Sequence, residues 1–223
     1  MTAQESPQME TLRAILQRPE PAKWLFYGDS ITHGARHTYG QRDYTELFAE
    51  RVRAELGRSQ DIVLNTAISG NTTRELLATF DWRVGQFRPD VVFLMIGMND
   101  CNTVKNLPVE EFHRNLNELA DKIHEAGALT VFQTCNPLMP GTLPERHPRL
   151  AQYMAMVRHV AGDRSAPLID HFEHWQESAN RIPFWMSNSV HPNAFGHIEL
   201  AFHLFRSLGI FDPASNTCRF FNP

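Results

Sequence analysis

The chain has 223 residues, room for one α/β domain with a substantial core and too little for two comfortable ones. Its formal net charge is -4 and 42% of its residues are hydrophobic. With no basic run, nothing in the charge pattern favours nucleic acid or an anionic membrane as partner. Cys101, Cys135 and Cys218 are odd in number and far apart, which argues against a disulfide framework, shows no zinc-ligand spacing, and leaves buried or idle thiols as the expectation.

In chain order, Met1 to Glu20 is polar and lacks the basic start and apolar stretch of a signal peptide. No segment is long and apolar enough to span a bilayer. A cytoplasmic product is expected unless a leader has been removed. Residues 22–210 would form the core of a single domain, with a polar N-terminal extension before it and a short tail after it. Short β-rich runs alternate with helical patterns. Lys23 to Tyr27, Ile62 to Asn65, Val91 to Ile96, Thr130 to Gln133 and Pro167 to Ile169 are the predicted strands, and five strands with intervening helices imply a parallel sheet. Tyr44, Leu47, Phe48, Val52 and Leu56 recur at helical spacing, as do Phe112, Leu116, Leu119 and Ile123. The segment 136–148 carries four prolines and a glycine and reads as a long rim loop. Pro192 and Asn193 open a last helix whose apolar face runs through Phe195, Ile198, Leu200, Ala201, Leu204, Phe205 and Leu208 and ends before Gly209. The predicted architecture is a three-layer α/β/α sandwich.

Four short blocks punctuate this pattern. Gly28-Asp29-Ser30-Ile31-Thr32 follows the first strand, Ser69-Gly70-Asn71 the second, Gly97-Met98-Asn99-Asp100 the third, and His191-Pro192-Asn193 enters the last helix. Each alone is an ordinary turn. Their order, and the position of three of them just past strand ends, where open parallel sheets gather functional groups, is the signal. On these blocks the chain resembles the SGNH hydrolases, the GDSL-like esterase and lipase superfamily, from Trp24 to His197. The resemblance implies a flavodoxin-like sandwich and a serine esterase site. In it Ser30 is the nucleophile, His191 the general base, and the oxyanion hole comprises the backbone N–H groups of Ser30 and Gly70 with the side-chain amide of Asn99. A serine hydroxyl needs such a base, because it is a poor nucleophile at neutral pH. Gly70 lacks a Cβ and lets the backbone approach the substrate closely.

The third triad member departs from the resemblance. The family places an aspartate three residues before the histidine, and here that residue is Asn188. Its amide oxygen can accept the Nδ1 proton but supplies no charge, and the amide can flip to favour the wrong tautomer. Three accounts stand open: Asn188 is a working neutral orienter, Asp170 after the fifth strand has taken over, or an original aspartate was replaced. The first is preferred. Asp29 and Asp100 are expected to hold loops by accepting backbone N–H bonds, and His197 to be packed or capping. His33 and His37 follow the turn of Ser30 and, with Arg36 and Tyr39, are candidates to line the substrate pocket, but each taken separately is read as a solvated loop residue. No metal and no cofactor is expected. The expected function is hydrolysis of short-acyl esters, acetyl above all, of a carbohydrate or another small polar molecule through an acyl-enzyme. This rests partly on the polar rim residues Arg36, His37, Tyr39, Asn102, Lys105, Arg146 and Trp185. The alternatives are an O-acyltransferase with the same site and a catalytically weak ligand-binding homologue. A small-molecule ester is the expected partner, with oligomeric state unassigned.

Overall fold

The structure is a computed structural model and describes residues 7–219. All five predicted strands form, as β1 (Lys23–Gly28), β2 (Ile62–Asn65), β3 (Val91–Met95), β4 (Leu129–Thr134) and β5 (Leu168–Asp170). They make one parallel sheet in the order β2-β1-β3-β4-β5. Central parallel strands are covered on both faces, which is why β1 and β3 read as continuous apolar runs. Alternation along β1 sends Trp24 and Phe26 to one face, where Phe26 stacks on Phe93 at 4.6 Å and Trp24 meets the edge of Phe48 at 5.6 Å.

The helices are α1 (Pro7–Gln17), α2 (Ser30–His33), α3 (Tyr44–Glu50), α4 (Thr73–Ala78), α5 (Phe80–Arg83), α6 (Val109–Glu125), α7 (Arg146–Asp163), α8 (His171–Glu177), α9 (Ile182–Trp185) and α10 (Ala194–Leu208). α10 packs against α1 and α3, and α6 packs against α4 and α7, completing the α/β/α sandwich. Four local expectations are corrected. α3 leaves α-geometry after Glu50: Arg51–Glu55 is a π-helical turn in which buried Arg51 donates to the Ile210 carbonyl at 2.8 Å, and Leu56 is exposed. Phe195 is likewise exposed, off the buried stripe of α10. Pro148 lies in the first turn of α7, where its missing N–H costs no helical bond. Of the expected polar N-terminal extension, residues 7–17 pack on the domain: Met9, Leu12 and Leu16 are buried at helical spacing and Arg13 donates to the Ser207 carbonyl of α10 at 3.1 Å.

In this strand order the chain leaves β1 toward one edge and β3 toward the other, so the crevice at the carboxyl ends of β1 and β3 is the topological switch point. Gly28, the last residue of β1, pairs with Met95 of β3. A Cβ at Gly28 would lie 2.3 Å from the Met95 carbonyl oxygen and 2.9 Å from Thr32 Oγ1. Backbone cannot yield as a side chain can. Gly28→Ala should therefore cost about 1–3 kcal/mol, the range for forced overpacking, measured by urea denaturation. A loss within experimental error would show that the strand ends are not in close contact.

Candidate active site

Asp29 follows β1 and caps α2, its carboxylate accepting from Ile31 N at 3.0 Å. Ser30 is thereby the first residue of a helix, and its own N–H has no partner within that helix. The Ser30 hydroxyl oxygen lies 2.9 Å from His191 Nε2. His191 arrives on the loop between α9 and α10, which is closed by a bridge between Met186 and Pro192 and by a Ser187 N–H bond to the His191 carbonyl at 2.9 Å. Asn193 then caps α10 by accepting from Gly196 N.

Asn188 is the residue behind the histidine. Its Oδ1 lies 3.2 Å from His191 Nδ1 and also accepts the backbone N–H groups of Val190 and His191, each at 2.9 Å. Those two donors fix the amide, since a flip would set its NH2 against them. With Oδ1 facing Nδ1, the imidazole carries its proton on Nδ1 and turns a free Nε2 lone pair to Ser30. The expected ambiguity of tautomer is removed by backbone. Asp170 does not take this place. Its carboxylate is held by Arg158 at 2.5 and 3.0 Å and by the Thr134 hydroxyl at 2.8 Å, and it caps α8.

The other donors surround Ser30. Gly70 has a φ of +83°, a left-handed conformation that favours glycine, and a Cβ there would meet no atom within 4 Å. Backbone conformation, more than close approach, is what this position demands. Among the described residues neither the Ser30 nor the Gly70 N–H has a backbone acceptor in the turns and loops. The Asn99 amide donates to the Asn71 carbonyl at 3.0 Å, and its second contact, to Asp29 Oδ2, is long at 3.4 Å. One N–H thus anchors the side chain while the other can turn to a new acceptor. Asp100 holds Thr73 through its N–H at 2.8 Å and its hydroxyl at 2.7 Å.

Two contributions were not visible in the sequence. Buried Arg83 donates to the carbonyls of Thr66 and Gly28 and to Asn71 Oδ1, lashing the loop that carries Gly70 to the end of β1. His37, read as a solvated loop residue, lies face to face on His191, with ring centroids 3.8 Å apart. Of the other rim residues, Trp185 is buried against Trp175 and leaves the rim, Tyr39 is exposed, and Asn102 caps a short turn. Lys105 donates to the Gly70 carbonyl at 3.1 Å, Arg146 donates to the Met98 carbonyl, and Arg36 is exposed at a φ of +71°. His33 bonds the Ser69 hydroxyl at 3.0 Å. His197 is buried and stacks on Tyr44, as expected of a packed residue. The three thiols are buried and unpaired. Among the described residues no group of three His, Cys, Asp or Glu side chains is placed to hold a metal, and no helix is long and apolar enough to cross a membrane.

The model of the GDSL-like Lipase/Acylhydrolase family matches residues 26–197, most of the chain. The chain belongs to this family. An acetylxylan esterase of Geobacillus stearothermophilus is 30% identical over 210 residues, covering 84% of this chain and 94% of the relative. The crystal structure of that enzyme superposes with a TM-score of 0.76 at 25% identity, over 87% of this chain and 97% of the other. It has also been solved as catalytic mutants in which a serine or an aspartate is changed to alanine. An uncharacterized Mycoplasma pneumoniae protein is 33% identical over 123 residues, 54% of this chain but 14% of that longer protein. As a GDSL-family member, the protein is a carboxylic ester hydrolase.

The electrostatics of this esterase differ from those of a site with a carboxylate behind the histidine. His191 is lowered to about 4, first by burial and then by repulsion from His37 when that ring is protonated and from Arg146. Asp29 is raised to about 7, chiefly by burial. A general base must be neutral to act, and the lowered pKa keeps His191 neutral at pH values where an ordinary imidazole is already protonated. The acid limb of kcat/KM should fall well below pH 6.5. Asn188→Asp adds a negative charge beside Nδ1, favours imidazolium, and should move that limb upward while raising kcat by about tenfold or more, up to ~10⁴ by comparison with serine protease triads. A pH-rate profile of the two forms checks both directions, and an unmoved limb would show that residue 188 does not sense the His191 charge.

Proposed function

We propose that this protein hydrolyses acetyl and other short-acyl esters of carbohydrates through an acyl-enzyme on Ser30. The observation that carries the reading is the 2.9 Å approach of Ser30 Oγ to His191 Nε2. His191 takes the serine proton as Oγ attacks the carbonyl, and the charge that develops on the carbonyl oxygen is met by Ser30 N–H, Gly70 N–H and the Asn99 amide. His191 returns the proton to the leaving alcohol. Water, activated by the same imidazole, then releases the acid. Asn188 orients the imidazole throughout.

The acetyl and carbohydrate parts rest on likeness to an acetylxylan esterase and on the polar character of the neighbouring surface. His33 and Lys105 flank the Gly70 loop, and Arg146 is close enough to lower the His191 pKa. Such groups suit the hydroxyls of a sugar better than a long acyl chain, which would need an apolar channel.

A panel of p-nitrophenyl esters of increasing acyl length, run beside acetylated xylo-oligosaccharides with Ser30→Ala as the blank, tests the proposal. Activity should be highest for acetyl, fall with chain length and vanish in Ser30→Ala. Turnover rising toward long chains would replace the substrate assignment, and unchanged turnover in Ser30→Ala would end the mechanism. Asn99→Ala should lower kcat by roughly 10²–10³ with a smaller effect on KM, as expected of a donor engaged in the transition state. A rise in KM alone would make Asn99 a substrate-binding group.

A further inference from the structure

His37 lies on the loop between α2 and α3, far from His191 in sequence, yet the two imidazoles stack with centroids 3.8 Å apart and planes within 7°. His37 Nδ1 is 3.4 Å from Asn188 Nδ2 and 3.2 Å from the Ser187 hydroxyl, which itself bonds the His191 carbonyl at 3.2 Å. One ring thus touches the base, the residue that orients the base, and the loop that carries both. The loop is fixed beneath it. Thr38 is buried and donates to the Gly34 carbonyl at 3.3 Å, while Arg36 and Tyr39 on either side take left-handed φ values of +71° and +53° that non-glycine residues adopt at a cost.

We propose that His37 is a positioning residue of the esterase reaction, its ring face holding the His191 imidazole against Ser30 and steadying the imidazolium in a site whose third member carries no charge. The inference rests on the esterase reading of Ser30 and His191. In a triad with an aspartate, orientation and charge come together from one side of the ring. Here Asn188 orients through an edge contact of 3.2 Å and offers no counter-charge. A neutral aromatic face against the other plane of His191 confines the ring to that plane, and its π-electrons interact favourably with positive charge developing on the neighbour. His37 must remain neutral to do this, since two imidazolium rings at this separation repel. Burial and the adjacent Arg36 both push its pKa down. A neutral Nδ1 also accepts from the Asn188 amide, the polarity that leaves Asn188 Oδ1 facing His191.

The test is a set of variants at residue 37 in two backgrounds, assayed with p-nitrophenyl acetate. His37→Ala removes the face and should lower kcat about tenfold with KM changed less than about twofold. His37→Phe keeps an aromatic face and should recover most of that loss. In the Asn188→Asp background, where a carboxylate supplies both orientation and charge, His37→Ala should cost less than about threefold, a coupling between the two positions. Circular dichroism confirms that the variants fold, and a Phe variant that folds and works keeps the test decisive if the Ala variant does not fold. The proposal is overturned by a kcat for folded His37→Ala within about twofold of the parent, by a loss expressed only in KM, by His37→Phe as slow as His37→Ala, or by equal losses in both backgrounds. Failure of the esterase reading is separate: it would appear in the parent, as hydrolysis that survives Ser30→Ala.

Discussion

Everything at this site depends on how closely the carboxyl ends of β1 and β3 approach. Gly28 sits against the Met95 carbonyl with no room for a Cβ, and the two loops that leave these strand ends begin side by side at the switch point of the sheet. Ser30 comes two residues after Gly28 on one loop and Asn99 four residues after Met95 on the other. The contact between Asn99 Nδ2 and Asp29 Oδ2 at 3.4 Å records how near the loops remain. The third loop, with Gly70, is brought in by hydrogen bonds: Ile68 N–H to the Gly28 carbonyl at 3.2 Å, the Asn99 amide to the Asn71 carbonyl, and the Arg83 guanidinium between that loop and the end of β1. A buried guanidinium is costly unless its donors are satisfied. Here they are spent on the Gly28 and Thr66 carbonyls and on Asn71 Oδ1, so the solvation requirement of one side chain ties the loop of Gly70 to the end of β1.

Against this rigid frame, the proposed base, His191, is held by weaker means. An aspartate in the place of Asn188 would accept the same two backbone N–H bonds and add a negative charge next to Nδ1. The asparagine retains the geometry and gives up the charge, and no acidic group is among the causes that set the His191 pKa. A base of pKa about 4 is rarely protonated at neutral pH, but it has little drive to take a proton from serine. The same imidazolium, once formed, is a strong acid and gives its proton readily to a leaving alkoxide. The arrangement places the greater demand on the first proton transfer, where alignment of Nε2 with the hydroxyl counts most.

Strand positions could be read from the sequence because they depend on local composition, apolar runs bounded by turns, and each predicted strand lies within one residue of its observed limits. The four blocks were legible because those of Ser30, Gly70 and Asn99 each follow a predicted strand end, that of His191 enters the last helix, and their order matches the family they resemble. His37 and Arg83 were not. Their roles depend on partners brought close by tertiary folding, a ring from the far end of the chain in one case and carbonyls from two loops in the other, and neither pairing leaves a periodic trace. Residues 7–17 were missed for a different reason: a helix that buries only Met9, Leu12 and Leu16 is polar on average, and its short apolar stripe was outweighed by composition. Arg51 turned inward at the π-helical segment shows the converse, a pattern that promised regular helix and yielded to one buried hydrogen-bonding side chain.

The ambiguity at residue 188 shows most clearly what geometry adds to chemistry. From residue types alone, the amide of Asn188 was the preferred partner for His191, and a carboxylate at Asp170 stayed open beside it. The structure separates them by where their hydrogen bonds go. Asp170 is at the end of β5, two strands away from β3 in the sheet, and its oxygens are occupied by Arg158 and Thr134. Taking it to the histidine would require breaking that ion pair and uncapping α8. Asn188 needs no such rearrangement, because the turn that delivers His191 also donates two N–H groups to its oxygen. The backbone turn itself thus selects a hydrogen-bond acceptor at this position, and either Asn or Asp meets that requirement; only the charge behind the base distinguishes them.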